Sequence, residues 1–128
     1  MRAYDNYAFT LFSQSKFKAA LVNFTKAFEI GKTFLTETDA ALGQAYFNLG
    51  RANHGLSNLE KAVENYQKAE QIFRAAYEKT TDSELKAKHK ASIRKTLVLQ
   101  RYIAAFLKDE IKIQEIEKKM ADLEKQED

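Results

Sequence analysis

Few side chains in this sequence are of the types that do acid–base, nucleophilic or metal chemistry. The 128 residues include two histidines, His54 and His89, and no cysteine. Neither histidine has a carboxylate or a second histidine at metal-ligand spacing, and the chain contains no glycine-rich phosphate loop or nucleophile elbow. We therefore interpret each histidine as an exposed or hydrogen-bonded helix residue. The sequence predicts a protein that is not an enzyme and that uses no metal or other cofactor.

Positive charge is concentrated in one segment. The sequence has 21 Lys and Arg against 18 Asp and Glu, but residues 83–108 carry seven basic and one acidic side chain, and residues 109–128 carry four and eight. Basic runs can bind phosphates through counterion release, but no aromatic residue or nucleic-acid motif accompanies this one. We interpret it as a solvated face or as the partner of the acidic tail, in this chain or a second copy, and keep nucleic-acid or acidic-lipid binding as a third alternative. The run consists of Lys86, Lys88, His89, Lys90, Arg94, Lys95 and Arg101.

The composition favours one all-α domain. Without cysteine there is no disulfide framework, which agrees with an intracellular, cytoplasmic protein. The N-terminal residues lack the apolar core of a signal peptide, and no apolar run is long enough to span a bilayer, so we predict no membrane insertion. Proline is absent and glycine occurs four times, so turn signals are scarce.

An internal repeat organises the first part of the chain. The pattern A-Y-x-N occurs at Ala3 and again at Ala45, 42 residues later. Small residues recur at the same interval where helices would approach closely, and large residues recur at three- and four-residue steps. The sequence therefore predicts two helical hairpins in residues 1–82. The identical pairs include Tyr4/Tyr46, Asn6/Asn48, Ser15/Ser57, Ala20/Ala62, Asn23/Asn65, Ala27/Ala69 and Ile30/Ile72.

Polar residues between the periodic runs predict where the helices begin. Ser57 with Glu60, and Thr81 with Glu84, have the spacing of a capping box, in which each side chain satisfies the other residue's backbone N–H. Ser15 occupies the place of Ser57 in the first copy. We predict helices near 3–13, 16–35, 39–54 and 58–79, and from 83 onward.

The second copy resembles the tetratricopeptide repeat (TPR). In that family, helix pairs carry a bulky residue, then Leu-Gly, then Ala, an aromatic residue and Ala at set intervals. The interval of 42 residues is longer than the ordinary repeat of about 34, so the chain resembles the long repeats of kinesin light chains and of the Leu-Gly-Asn adaptors of cell polarity. It departs from the pattern at Asn53 and Arg74. The matching residues are Tyr46, Leu49, Gly50, Ala62, Tyr66 and Ala69, and Tyr4, Tyr7, Ala8, Ala20, Phe24 and Ala27.

This resemblance implies a binding groove lined by the first helix of each hairpin. An asparagine there can hydrogen-bond the backbone of an extended peptide, although Asn6 and Asn48 can also serve only helix packing or solvent contact. The lysine and asparagine set that clamps a C-terminal carboxylate in some relatives is not reproduced, because Asp5 would repel that charge. The implied peptide-groove residues are Arg2, Asp5, Asn6, Phe9 and Phe12, and Gln44, Phe47, Asn48, Arg51 and His54.

Two apolar surfaces suggest self-association. Aromatic residues near the N-terminus face a side where the repeat has no preceding unit. From Leu99 onward, apolar residues follow heptad spacing with a break at Asp109, which is compatible with a coiled coil, with a cap on the repeat stack, and with either one helix or a fold-back near Asp109. The residues predicted for oligomerisation are Tyr4, Tyr7, Leu11, Ile113, Ile116, Met120 and Leu123.

Taken together, the residues predict an all-α solenoid of two TPR-like hairpins in 1–82, followed in 83–128 by a long helix or helix pair that is a divergent third repeat, a cap or a coiled coil. The expected function is that of an adaptor or scaffold that binds a protein or peptide partner, either an extended segment or a helix. The alternative is a structural module in which copies of the chain form a homo-oligomer.

Overall fold

Six helices account for nearly all of the described chain. The computed structural model describes residues 2–36 and 39–126, in which there are six α-helices and no strand. Each predicted helix is present with its ends within one residue of the expected positions, and the all-α fold is confirmed. The helices are α1 (Arg2–Ser13), α2 (Phe17–Phe34), α3 (Ala40–Gly55), α4 (Leu59–Lys79), α5 (Ser83–Phe106) and α6 (Glu110–Lys125).

Each helix packs against the next one along the chain, so the molecule is a row of hairpins. The repeated small residues permit this close packing. Gly50 on α3 faces Tyr66 on α4, and a Cβ atom on Gly50 would lie 2.7 Å from the Tyr66 ring. Because Tyr66 is fully buried, its ring has no space to move into. A glycine is therefore needed where α3 crosses α4.

Three hairpin turns share one backbone conformation. Ser15, Ser57 and Lys108 have φ of 60°, 63° and 58°, in the left-handed region. In each turn the N–H of the following residue donates to a carbonyl five residues earlier, as in Asn58 to Asn53 at 2.8 Å. The left-handed residue donates to the carbonyl three residues earlier. These bonds form a Schellman motif without glycine.

The two predicted capping boxes are wrong. Ser57 is the left-handed residue of its turn rather than an N-cap, because the Schellman bonds place it outside the helix, and α4 begins one residue later than a Ser57 cap would allow. Before α5 the N-cap is Asp82, whose carboxylate accepts from the N–H groups of Glu84 and Leu85. A carboxylate at this position also interacts favourably with the helix dipole.

The C-terminal part folds back into a third hairpin. The sequence allowed one continuous helix or a fold-back near Asp109, and the chain turns at Lys108. Asp109 caps α6 by accepting from the N–H of Lys112. This turn follows the second one by 51 residues instead of 42, because α5 has 24 residues where α3 has 16. The longer helix moved the third repeat out of the 42-residue register.

The apolar stripe of α6 covers the chain's own core. Ile116 and Leu123 are buried in a cluster with residues of α3, α4 and α5, and Ile113 and Met120 pack partly buried against it. These are the residues for which heptad spacing suggested a coiled coil. In this structure their apolar surface is used within one chain.

Opposite charges also join α5 to α6. Arg94 donates to Glu124 at 2.7 Å, Arg101 donates twice to one oxygen of Glu117, and Lys90 donates to the main-chain carbonyl of Gln126. The hydrogen bond from Arg94 holds the pKa of Glu124 below its usual value. The basic run therefore finds its acidic partner in the same chain.

A buried carboxylate links the second and third hairpins. Glu70 on α4 is 5% exposed, and its two oxygens accept from Gln100 on α5 at 3.0 Å and from Arg74 at 2.9 Å. The ammonium of Lys119 on α6 lies 3.7 Å away. Charged groups are rarely buried without such partners, so this cluster fixes how three helices meet.

Candidate functional site

The first helices of the three hairpins form one surface, which we call the first-helix surface. The turns place Phe9 of α1, Arg51 of α3 and Tyr102 of α5 at equivalent positions. Contacts cross both boundaries between these helices. The Arg51 guanidinium lies 4.6 Å from the centre of the Phe12 ring, and the rings of His54 and Tyr102 lie 5.8 Å apart. A ligand on this surface could therefore touch all three repeats.

Polar and aromatic side chains fill the boundary between α1 and α3. Asn48 is 2% exposed, its side-chain carbonyl accepts from Gln44 at 2.9 Å, and its amide bonds Asp5. Burial raises the pKa of Asp5, and the hydrogen bond with Asn48 partly offsets this rise. The remaining space beside Asn48 has no room for a water molecule. The Asn48 amide thus serves the contact between α1 and α3.

His54 and two tyrosines form the boundary between α3 and α5. The Nδ1 atom of His54 lies 3.3 Å from the hydroxyl of Tyr66, which is fully buried, and burial raises the pKa of that hydroxyl. Burial, with a smaller contribution from the charge of Arg51, lowers the pKa of His54, so its imidazole is neutral at pH 7. Tyr102 remains 64% exposed beside it.

Arg51 is the most available charged group of the surface. Its side chain is half-buried against Phe12, and among residues 2–36 and 39–126 no carboxylate forms an ion pair with it. An arginine stacked on an aromatic ring keeps its planar set of N–H donors directed outward for a carbonyl or carboxylate. The neighbouring Gln44 is exposed.

The other predicted groove residues occupy different environments. Phe47 is buried and packs against Tyr66 in the core between α3, α4 and α5. Asn6 is exposed, and Phe9 is partly exposed with its ring edge-to-face against Phe24 at 5.1 Å. Arg2 begins α1, but its side chain lies outside the described residues. The structure therefore places Phe12, Gln44, Arg51 and His54 along the open part of the surface.

Sequence reasoning missed the contribution of α5 to this surface. With the third turn as reference, Lys95, Val98 and Tyr102 correspond to Gln44, Phe47 and Arg51, and all three are exposed. The missed signal was the capping aspartate, Asp109, after an apolar run. That residue marks the turn, and counting back from it gives a register of 51 residues.

The residues predicted for oligomerisation separate into two groups. Tyr4 and Tyr7 are 39% and 57% exposed, and Tyr4 lies beside Lys26, whose ammonium is 5.8 Å from the ring centre. Leu11, Ile116 and Leu123 are buried within the chain, and Ile113 and Met120 are partly buried. Only the two tyrosines present a substantial open aromatic surface to a second copy.

A comparison with protein families decides the relationship. The model for the family described as tetratricopeptide repeat matches residues 1–75. The chain belongs to the tetratricopeptide repeat family. No curated protein matches it. The third hairpin of this TPR protein lies beyond the matched residues, as expected from its altered spacing.

Two absences complete the description of the site. Residues 2–36 and 39–126 contain no group of three or more His, Cys, Asp or Glu side chains placed to hold a metal ion. Within the same part of the chain, no helix combines the length and the apolar character needed to cross a membrane.

Proposed function

We propose that this TPR protein is an adaptor or scaffold module that binds a peptide segment of a partner protein on its first-helix surface. The observation that carries the proposal is Arg51, which stacks on Phe12 and has no ion-pair partner among the described residues, with the exposed Tyr102 ring close by beyond His54. Arginine and tyrosine are enriched among the residues that dominate binding energy at protein interfaces. The TPR family supports a role in protein–protein interaction.

The peptide would use the groups that remain open. Its main-chain carbonyls or an acidic side chain would accept from Arg51 and Gln44, and an apolar side chain would lie against Tyr102. Asn48 is not part of this proposal, because its amide already bonds Asp5 and Gln44. We also infer that the chain is related to the long-repeat adaptors, since its first two turns are 42 residues apart.

Selection from a peptide library on the full chain, followed by calorimetry with an enriched peptide, tests this proposal. We expect Arg51→Ala and Tyr102→Ala each to raise Kd by about tenfold or more, as truncation of an interface hot spot does. Lys61→Ala is the matched control, because Lys61 is exposed on α4, away from this surface. An enriched peptide that binds both variants with the wild-type Kd would remove the first-helix surface as the site.

A second proposal is self-association through the N-terminal aromatic face. It is supported by the exposure of Tyr4 and Tyr7, and it does not involve Ile116 or Leu123, which are already buried. Light scattering on the full chain measures it: a dimer that the double variant Tyr4→Ser, Tyr7→Ser converts to a monomer supports this role, and an unchanged mass contradicts it.

A further inference from the structure

The second helices form a separate groove on the other side of α5. α4 and α6 flank it, and its volume is about 630 Å³. Its apolar lining includes Leu59 and Val63 of α4, which are half-buried, and Leu107 at the end of α5, which is 58% exposed. Ile103 and Ile116 lie at its base. An apolar side chain entering the groove would cover surface that is now wet.

Acidic side chains surround this apolar lining. Glu60 and Glu64 stand on the α4 side and Asp109 stands at the turn, and all three are exposed. The one basic residue of the lining is Lys112, whose ammonium already lies 3.7 Å from Glu115. The groove therefore combines an apolar lining with a rim of net negative charge.

An equivalent groove one repeat earlier shows that the fold does not require this charge. It lies between α2 and α4, has a volume of about 440 Å³, and is lined by the lysines 32, 61 and 68 and the glutamates 29 and 64. Its lining thus has net positive charge although the same kinds of helix build it. The negative rim is a property of the groove between α4 and α6 alone, which makes it a selective feature.

We propose that the groove between α4 and α6 binds a cationic peptide segment of a partner protein, with an apolar side chain flanked by lysine or arginine. The apolar side chain contacts Leu59, Val63 and Leu107, and the flanking cations face Glu60, Glu64 and Asp109. Because the charges on the rim are exposed, binding weakens as salt is added. This site is distinct from the first-helix surface, so one chain can hold two segments of opposite character.

Fluorescence anisotropy with a labelled synthetic peptide of leucines flanked by lysines tests the inference on the full chain. We expect saturable binding, and we expect the double variant Glu60→Lys, Glu64→Lys to raise Kd by about tenfold through loss of the charge pairs. Leu107→Gln should also weaken binding, because this exposed side chain supplies apolar contact without supporting the core. The matched control is Glu29→Lys, which changes the lining of the earlier groove and leaves this one intact.

Three results would overturn the inference. They are equal binding of a peptide with glutamate in place of each lysine, an unchanged Kd in the double variant, and loss of binding in Arg51→Ala. The last result would assign the cationic peptide to the first-helix surface. Conversely, the Arg51→Ala and Tyr102→Ala results with library-selected peptides decide the first-helix proposal without involving Glu60 or Glu64, so the two proposals fail separately. Circular dichroism of each variant verifies that these exposed helix positions tolerate the change.

Discussion

At the scale of single residues, the buried polar groups explain why the hairpins meet in one arrangement. Glu70 and Gln100 come from different hairpins, and each is almost fully buried. Their hydrogen bond of 3.0 Å satisfies one carboxylate oxygen, while Arg74 satisfies the other. A displaced α5 would leave this charge without its partner, at a high cost in free energy.

We expect Gln100→Leu to lower the free energy of unfolding by about 1–3 kcal/mol, because it leaves a Glu70 oxygen buried and unsatisfied. The double variant Glu70→Leu, Gln100→Leu should lose less than the sum of the two single variants, since both members of the pair are then apolar. Urea denaturation of the four proteins measures the coupling. Additive losses would show that the hydrogen bond is not an energetic link between the hairpins.

At the scale of helices and turns, the left-handed residue ends each first helix. Neither Ser15, Ser57 nor Lys108 is glycine, although the left-handed region favours glycine. The Schellman bonds impose the conformation, and the side chain bears its steric cost. This conformation distinguishes the observed turn from the capping box that the sequence suggested at Ser57.

Ser57→Gly is therefore expected to raise the free energy of unfolding by about 0.5–1 kcal/mol, because glycine adopts the left-handed conformation without steric cost, while Ser57→Val should lower it by about 1–2 kcal/mol. An N-cap serine would behave differently, since its replacement by glycine gives a small loss. Thermal and urea unfolding of the two variants give the sign. A loss of stability in Ser57→Gly would mean that Ser57 caps α4 in solution.

At the scale of the whole molecule, α6 is part of the core. Ile116 and Leu123 are each 1% exposed, and they complete the cluster that contains Tyr66 and Leu97. The ion pairs of Arg94 and Arg101 with α6 add to this contact. The last hairpin is thus an integral repeat that buries the end of the TPR stack.

For this reason, we expect a chain ending at residue 108 to unfold at a markedly lower temperature and to aggregate, because removing α6 exposes apolar core residues. The double variant Tyr4→Ser, Tyr7→Ser should instead keep the melting temperature within a few degrees, since both side chains are largely open. Calorimetry combined with light scattering separates the two effects. A truncated chain that melts like the full one would show that α6 does not stabilise the core.

The sequence by itself determined the helices and the 42-residue repeat. Helical periodicity, the small residues at Ala62 and Gly50 and the polar breaks near Ser15 and Ser57 are local signals, and they specified helix ends to within one residue. The same signals identified Gln44, Arg51 and His54 as surface residues of a first helix. They could not identify Lys95, Val98 and Tyr102, because the longer α5 shifts the third repeat.

Only the tertiary structure decided which face meets which partner. Heptad spacing at Ile116 and Leu123 is the same in a coiled coil and in a cap, and the turn at Lys108 brings this stripe onto the chain's own core. That turn also sets the basic run against the acidic α6 and leaves the apolar groove with an acidic rim. The physical reason is that the apolar or charged pattern of a helix is encoded locally, whereas its neighbour depends on contacts between residues that are distant in sequence.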